Sequence, residues 1–159
     1  MRDYVGIDIS RTIIEHDRVV RPDWKFICDS AQKKQNIPKA RVVVCLSVLF
    51  HIMDDQAYEK ILENLADYSE EWIIILTWFK NPFLSLRTRL LLSLDHVIHG
   101  RIRSGFRQLG NKQNDQRYQA YREFKRCLPM LEGRGFKLAA IERDEEIGRI
   151  GALFFLKKG

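Results

Sequence analysis

The stretch Leu46 to His51, Leu-Ser-Val-Leu-Phe-His, leaves a strongly apolar run and ends in a histidine. His51 could act as a general base, although a histidine at a strand exit more often donates one hydrogen bond to backbone, and geometry decides before pKa does. Two acids close other apolar runs: Asp8 follows Tyr-Val-Gly-Ile, and Asp29 follows Trp-Lys-Phe-Ile-Cys. Each also has a plain structural reading, Asp8 as the start of an Asx-type turn and Asp29 as a solvated loop acid. Trp78 and Phe79 end a further run and either line an acceptor pocket or pack in the core. Tyr118, Tyr121 and Phe124 fall at helical spacing, which makes them core residues first and, for the two tyrosines, substrate contacts second. The sequence contains no metal-ligand constellation, phosphate-binding glycine loop or nucleophile elbow.

The elements that must position these residues follow from periodicity. Val42, Val43, Val44 and Leu46, around the small Cys45, form a nearly unbroken apolar run. That pattern predicts a strand buried on both faces, as in a parallel sheet covered by helices. Asp54 or Asp55 can cap the helix that follows, over Asp55 to Tyr68, where Ala57, Tyr58, Ile61, Leu62 and Leu65 recur at helical spacing. Upstream, Tyr4 to Ile9 reads as a strand, and Ser10 caps a helix from Arg11 to about Arg21 that Pro22 stops. Trp24 to Cys28 is a second strand, joined through the polar Gln32 to Lys39 to the central one. Trp72 to Trp78 is a fourth. The order is β-α-β, loop, β-α-β with short connections, the signature of a parallel sheet. Phe136 to Arg143 and Ile150 to Lys157, joined by a charged turn, read as an antiparallel hairpin.

Composition bounds the rest. At 159 residues and 45% hydrophobic content, the chain is expected to be one globular domain with a sizeable core. The apolar stretch Phe83 to Ile98 is broken by Arg87, Arg89 and Asp95, so no membrane span is expected; nor is a signal peptide. Three cysteines without metal-type spacing, with Cys28 and Cys45 in strand-like runs, are expected to be small buried hydrophobes in a reducing cytoplasm. Of the net charge of +6, the segment from Lys80 to Leu128 holds more than the whole, with eleven Lys and Arg against Asp95, Asp115 and Glu123. This basic, helical segment at about 81–126 favours an anionic acceptor or, more weakly, a nucleic-acid surface over a merely solvated face.

Three strand ends in this order resemble the class I S-adenosylmethionine-dependent methyltransferases. Gly6-Ile7-Asp8-Ile9-Ser10 is similar to the end of that family's second strand, Cys28-Asp29-Ser30-Ala31 to the end of its third, and Val44 to His51 to the motif after its fourth. The terminal hairpin resembles the family's reversed last strand. The resemblance implies a Rossmann-like α/β fold of three layers, with a mostly parallel sheet ending in an antiparallel C-terminal hairpin. It implies S-adenosyl-L-methionine as cofactor, with Asp8 and Ile9 at the ribose, Asp29 and Ser30 at the adenine, and Leu46, Ser47 and Phe50 along the methionine and sulfonium end. A carboxylate suits two vicinal hydroxyls because charge-assisted hydrogen bonds are the strong ones.

The sequence departs from the family twice. Ser47 stands where many relatives have an acid. The first strand and its glycine-rich loop should precede Asp8 by about 20 residues, whereas Asp8 is close behind Met1. Cofactor binding by this chain is therefore expected to be weak or lost. The missing strand would lie between Tyr4–Ile9 and Arg41–Leu46, so those two are expected to pair directly or to have the gap filled by another chain, as in a homo-oligomer. Two rivals remain: a methyltransferase-like binding protein without catalysis, and a nucleotide-binding oxidoreductase, which also uses a second-strand acid for ribose. The reversed hairpin and the Ser-Val-Leu-Phe-His motif count against the oxidoreductase.

Overall fold

A computed structural model describes residues 4–79, 119–143 and 151–159. The first unit is β1 (Val5–Asp8), α1 (Arg11–Val20) and β2 (Lys25–Cys28). Ser10 caps α1, its hydroxyl accepting the Ile13 N–H at 3.4 Å. β1 and β2 pair in parallel, with Asp8 opposite Cys28. Gly6 lets them come together under an aromatic lid: a Cβ there would lie 2.8 Å from the Phe26 ring. Arg18 of α1 donates to the Phe26 carbonyl at 2.8 Å, tying the helix to β2.

The second unit begins with β3 (Ala40–Leu46), a short 3-10 turn over Leu49–His51, α2 (Asp55–Tyr68) and β4 (Ser69–Trp78). Asp54 is the cap of α2, accepting the Ala57 N–H at 2.7 Å. After a second 3-10 turn at Phe124–Cys127 come α3 (Leu128–Glu132), β5 (Phe136–Arg143) and β6 (Gly151–Lys158). The strands form a four-stranded sheet in the order β3-β4-β6-β5, apart from the two-stranded β1-β2 sheet. β3 and β4 are parallel, while β6 runs antiparallel to both β4 and β5. The sheet is mixed, not mostly parallel, because two of its three pairings, β4 with β6 and β5 with β6, are antiparallel.

One face of the larger sheet is a true core. Ile73, Ile75, Phe154 and Leu156 are buried there against Leu62 and Leu65 of α2, with Leu131 of α3 and Phe124. The opposite face of β3 overturns the expectation of a strand buried on both sides. Val42, Val44 and Leu46 are 44%, 52% and 50% exposed, whereas Cys45 on the covered side is 6% exposed. Among the described residues nothing closes that face, and β3 pairs only with β4. The expected direct pairing of the first strand with the central one is likewise absent, since β1 pairs only with β2.

Two smaller expectations fail for local reasons. Cys28 is exposed, because it closes a strand paired on a single edge. Residues 119–123 are not helical despite their aromatic spacing, and Phe124 opens a 3-10 turn. That segment is held instead by tertiary bonds, with the Ala120 N–H donating to the Phe50 carbonyl at 2.6 Å. Most of the basic segment, including Tyr118 and the inward leucines and outward arginines expected of it, lies outside the described residues.

Candidate functional site

Parallel pairing brings the two acids together. The Asp29 N–H donates to the Asp8 carbonyl at 3.0 Å, so both carboxylates leave the carboxyl ends of adjoining strands. In open α/β sheets that is the end where ligands bind. Oδ1 of Asp8 accepts the Ser10 N–H at 2.7 Å, an Asx-type turn that fixes the side chain and leaves Oδ2 without a protein donor among the described residues. The carboxylate thus performs the structural role and retains an oxygen for a ligand. Ile9 beside it is largely exposed.

Asp29 is more fully committed. Its Oδ1 accepts from Lys33 at 2.9 Å and from the Ser30 N–H at 2.7 Å, and its Oδ2 accepts from the Gln35 amide at 3.0 Å. Lys33 first, then the Ser30 N–H and Gln35, hold its carboxyl below the usual carboxylate range. The loop so organised is anchored to α2. Tyr68 accepts the Gln35 N–H at 2.6 Å, and Asn64 donates to the carbonyls of Ala31 and Gln32 at 2.9 and 3.0 Å. Sequence reasoning missed Gln35, Asn64 and Tyr68. Their only signal was that Asn64 interrupts the apolar face of a helix, which asks for a polar partner.

At the end of β3, Ser47 adopts φ 59°, the left-handed region that a non-glycine residue enters at a cost. Its N–H donates to the Leu76 carbonyl at 3.2 Å, so the reversal of the chain begins while still stitched to β4. Leu49, fully buried, then pins the turn and turns Phe50 toward Trp78. The Phe50 and Tyr121 rings each lie 5.0 Å from that of Trp78, enclosing it. Trp78 is 8% exposed, and its indole N–H is buried without an acceptor among the described residues. His51 is exposed at the rim, 4.5 Å from the Phe50 ring.

Phe79 goes the other way. It joins the core side, 6.3 Å from the Phe154 ring, with the Lys125 and Arg143 cations over it at 5.0 and 5.3 Å. Trp78 and Phe79, adjacent in sequence, therefore do not share one wall.

Arg122, also missed from sequence, fastens the segment that carries Tyr121. Its guanidinium donates to Asp55 Oδ1 at 2.7 and 2.8 Å and to the carbonyls of Ile52 and Met53, and lies 4.8 Å from the Tyr58 ring. Beneath it, burial pushes the Tyr58 hydroxyl above its ordinary value and the Cys45 thiol up to about 12. These are inert core groups rather than nucleophiles. Among the described residues no cluster of His, Cys, Asp and Glu could hold a metal ion, and no helix is long and apolar enough to cross a membrane.

Comparison with solved structures identifies the architecture. Magnesium protoporphyrin IX methyltransferase from Synechocystis PCC 6803, with S-adenosylhomocysteine bound, superposes over 98% of this chain and 64% of its own, at TM-score 0.63 and 15% identity. The N-methyltransferase NodS from Bradyrhizobium japonicum WM9 does so over 98% of this chain and 73% of its own, at TM-score 0.61 and 7% identity. LepI in complex with S-adenosylmethionine covers all of this chain, with 37% of its own length matched, at TM-score 0.62 and 11% identity. The fold is that of the S-adenosylmethionine-dependent methyltransferases. The chain spans less than two thirds of the length of several of these neighbours. No protein-family profile matches the sequence, and no curated protein does.

Proposed function

We propose that these residues form the cofactor side of an S-adenosylmethionine-dependent methyltransferase. The observation that carries this reading is the pair of carboxylates at the adjoining ends of β1 and β2, within a methyltransferase fold. Oδ2 of Asp8 is suited to the ribose hydroxyls, since the carboxylate is held in place and this oxygen has no donor among the described residues. Asp29 and Ser30 border the adenine position, where an adenine edge would compete with Lys33 and Gln35 for the carboxylate. Leu46, Ser47 and Phe50 border the methionine end. The cofactor, when bound, supplies an activated methyl group, so the chain's own residues orient the acceptor and exclude water. Trp78 and Tyr121 form the acceptor side, and the unpaired indole N–H offers a donor to an acceptor oxygen or nitrogen. Tyr118 is assigned the same acceptor role as Tyr121, and His51, exposed beside Phe50, is the candidate base; Phe79, packed against Phe154 on the core side, is not assigned to the acceptor. An anionic acceptor is the class that the basic segment favours, ahead of nucleic acid. We place the protein in the cytoplasm on its free cysteines, and take residues 1–159 as one domain.

Binding by these residues alone should be weak. Among the described residues no glycine-rich loop opens a helix, and one or two lost hydrogen bonds to a charged group cost roughly 1.5–3 kcal/mol each. That is roughly one to four decades of affinity. Calorimetry with S-adenosylmethionine and S-adenosylhomocysteine tests it. Dissociation constants near the millimolar, weakened further by Asp8→Ala, fit the proposal; binding indifferent to Asp8→Ala sinks the ribose role. Binding without any detectable methyl transfer, once affinity is restored, would favour the rival reading of a non-enzymatic binding protein.

A further inference from the structure

β5 closes the larger sheet at the end opposite β3, and among the described residues it has a ladder partner only in β6. Its other side therefore presents an unpaired row of backbone N–H and C=O groups. Lys137 stands near one end of the strand and Glu142 near the other, both exposed. Neither has an ion-pair partner among the described residues. Lys137 instead lies directly opposite the exposed Lys157 of β6, and like charges so placed repel. The ladder with β6 is broken by a bulge between Leu138 and Ala140. Before it, Phe136 and Leu138 take the core face and Lys137 the open one; after it, Ile141 takes the core face and Glu142 the open one. The extra residue shifts the alternation by one, so the face pattern from Ala140 to Arg143 mirrors that from Phe136 to Ala139.

We infer that β5 is the seam of a homodimer, paired antiparallel with β5 of a second copy about a two-fold axis between Ala139 and Ala140. In that register Lys137 faces the second copy's Glu142 and, by symmetry, Glu142 faces its Lys137. Both pairs lie on the open face, so each Lys137 gains a carboxylate on one side to offset Lys157 on the other. On the core face Leu138 meets Ile141. The two alanines at the axis have no bulk to hold the strands apart. The bulge is what permits this match. In an unbroken alternation, residues 137 and 142 would lie on opposite faces, and their charges could not meet. Charge also selects the occupant and its direction. The two-fold rotation sets each sign against its opposite, whereas a parallel copy in register would set Lys137 against Lys137. The seam requires neither the cofactor nor the acceptor side.

Sedimentation equilibrium of the purified chain over a concentration series, at low ionic strength and without cofactor, provides the test. The mass should rise from one chain to two, and hydrogen exchange at the β5 amides should slow as it does. Lys137→Glu and Glu142→Lys, each alone, set two like-charged pairs across the seam and should weaken the dimer by at least about tenfold. Both side chains are exposed, so the melting temperature of the dilute monomer should stay where it is. An equimolar mixture of the two variants should recover the dimer, because each heterodimer again carries two opposite-charge pairs. A β5 seam is overturned if the chain stays monomeric throughout the series, or if a dimer forms that is indifferent to both substitutions. It is equally overturned if the mixture associates no better than either variant alone, or if the β5 amides exchange in the dimer as they do in the monomer.

Discussion

The two faces of β3 and β4 are built from nearly the same residues and meet opposite fates. Val43 and Cys45 look onto α2 together with Ile73 and Ile75, while Val42, Val44 and Leu46 look onto no described element. Apolar character alone does not bury a side chain; a partner element does. The covered face should therefore dominate stability, and the bare one should be nearly silent in the isolated chain.

The largest test of that contrast is Phe154→Ala against Val44→Ala. Phe154 is fully buried, 4.4 Å from the Phe124 ring, and its truncation should cost about 3–5 kcal/mol. Within a total of about 5–15 kcal/mol that loss brings the chain near unfolding. Val44→Ala should cost well under about 1 kcal/mol. Urea denaturation of both variants settles the matter, and equal losses would mean that the exposed row is covered after all.

Next comes Arg122, which ties the segment flanking the covered face to the start of α2. Arg122→Ala leaves Asp55 and the carbonyls of Ile52 and Met53 without their donor and should cost about 1.5–3 kcal/mol. Arg122→Lys should recover only part of it, because a point charge cannot reproduce the fork. Tryptophan fluorescence should shift as well if Tyr121 leaves Trp78.

A smaller effect of opposite sign is expected where β3 leaves the sheet. Ser47→Gly relieves the left-handed backbone at φ 59° and should stabilise the chain by about 0.5–1 kcal/mol, read from the denaturation midpoint. Destabilisation would mean that the hydroxyl makes a contact worth more than the strain.

The smallest effect is electrostatic. Asp67 is held below its ordinary value by Lys34 first and by Arg134, Asp29 by Lys33, Ser30 and Gln35, and Glu71 by Arg41 and Trp72. Lowered folded-state values mean stability that is complete above the unfolded carboxylate range, about pH 4. It is lost as pH falls through the lower folded values. A series of melting temperatures below neutral pH should fall in that window, and Asp67→Asn should make the fall shallower.

Much of the fold was legible because local rules and tertiary structure agree. Ser10 and Asp54 cap their helices as their positions in the sequence indicate, and the terminal hairpin falls where alternation puts it. The exposed face of β3 was not legible, because an unbroken apolar run reports what a strand needs and not what is present to supply it. Tyr121 and Phe124 share a helical period without sharing a helix, since the Ala120 and Arg122 bonds outweigh local propensity. At the site, Asp8 and Asp29 could be read as strand-end acids, but that each already serves the backbone around it is a fact of geometry. Gln35 and Arg122 were invisible because their partners lie far away in the sequence.

β6 is late in the sequence and central in the sheet, lying between β4 and β5. Closing it against β4 spans about seventy residues of intervening chain, an entropic step that local contacts cannot prepare. During synthesis, β4 must therefore wait on the ribosome with one edge open until Gly151 to Lys158 has cleared the exit tunnel. The apolar strands that make the core are, for that interval, the part of the nascent chain most in need of a chaperone.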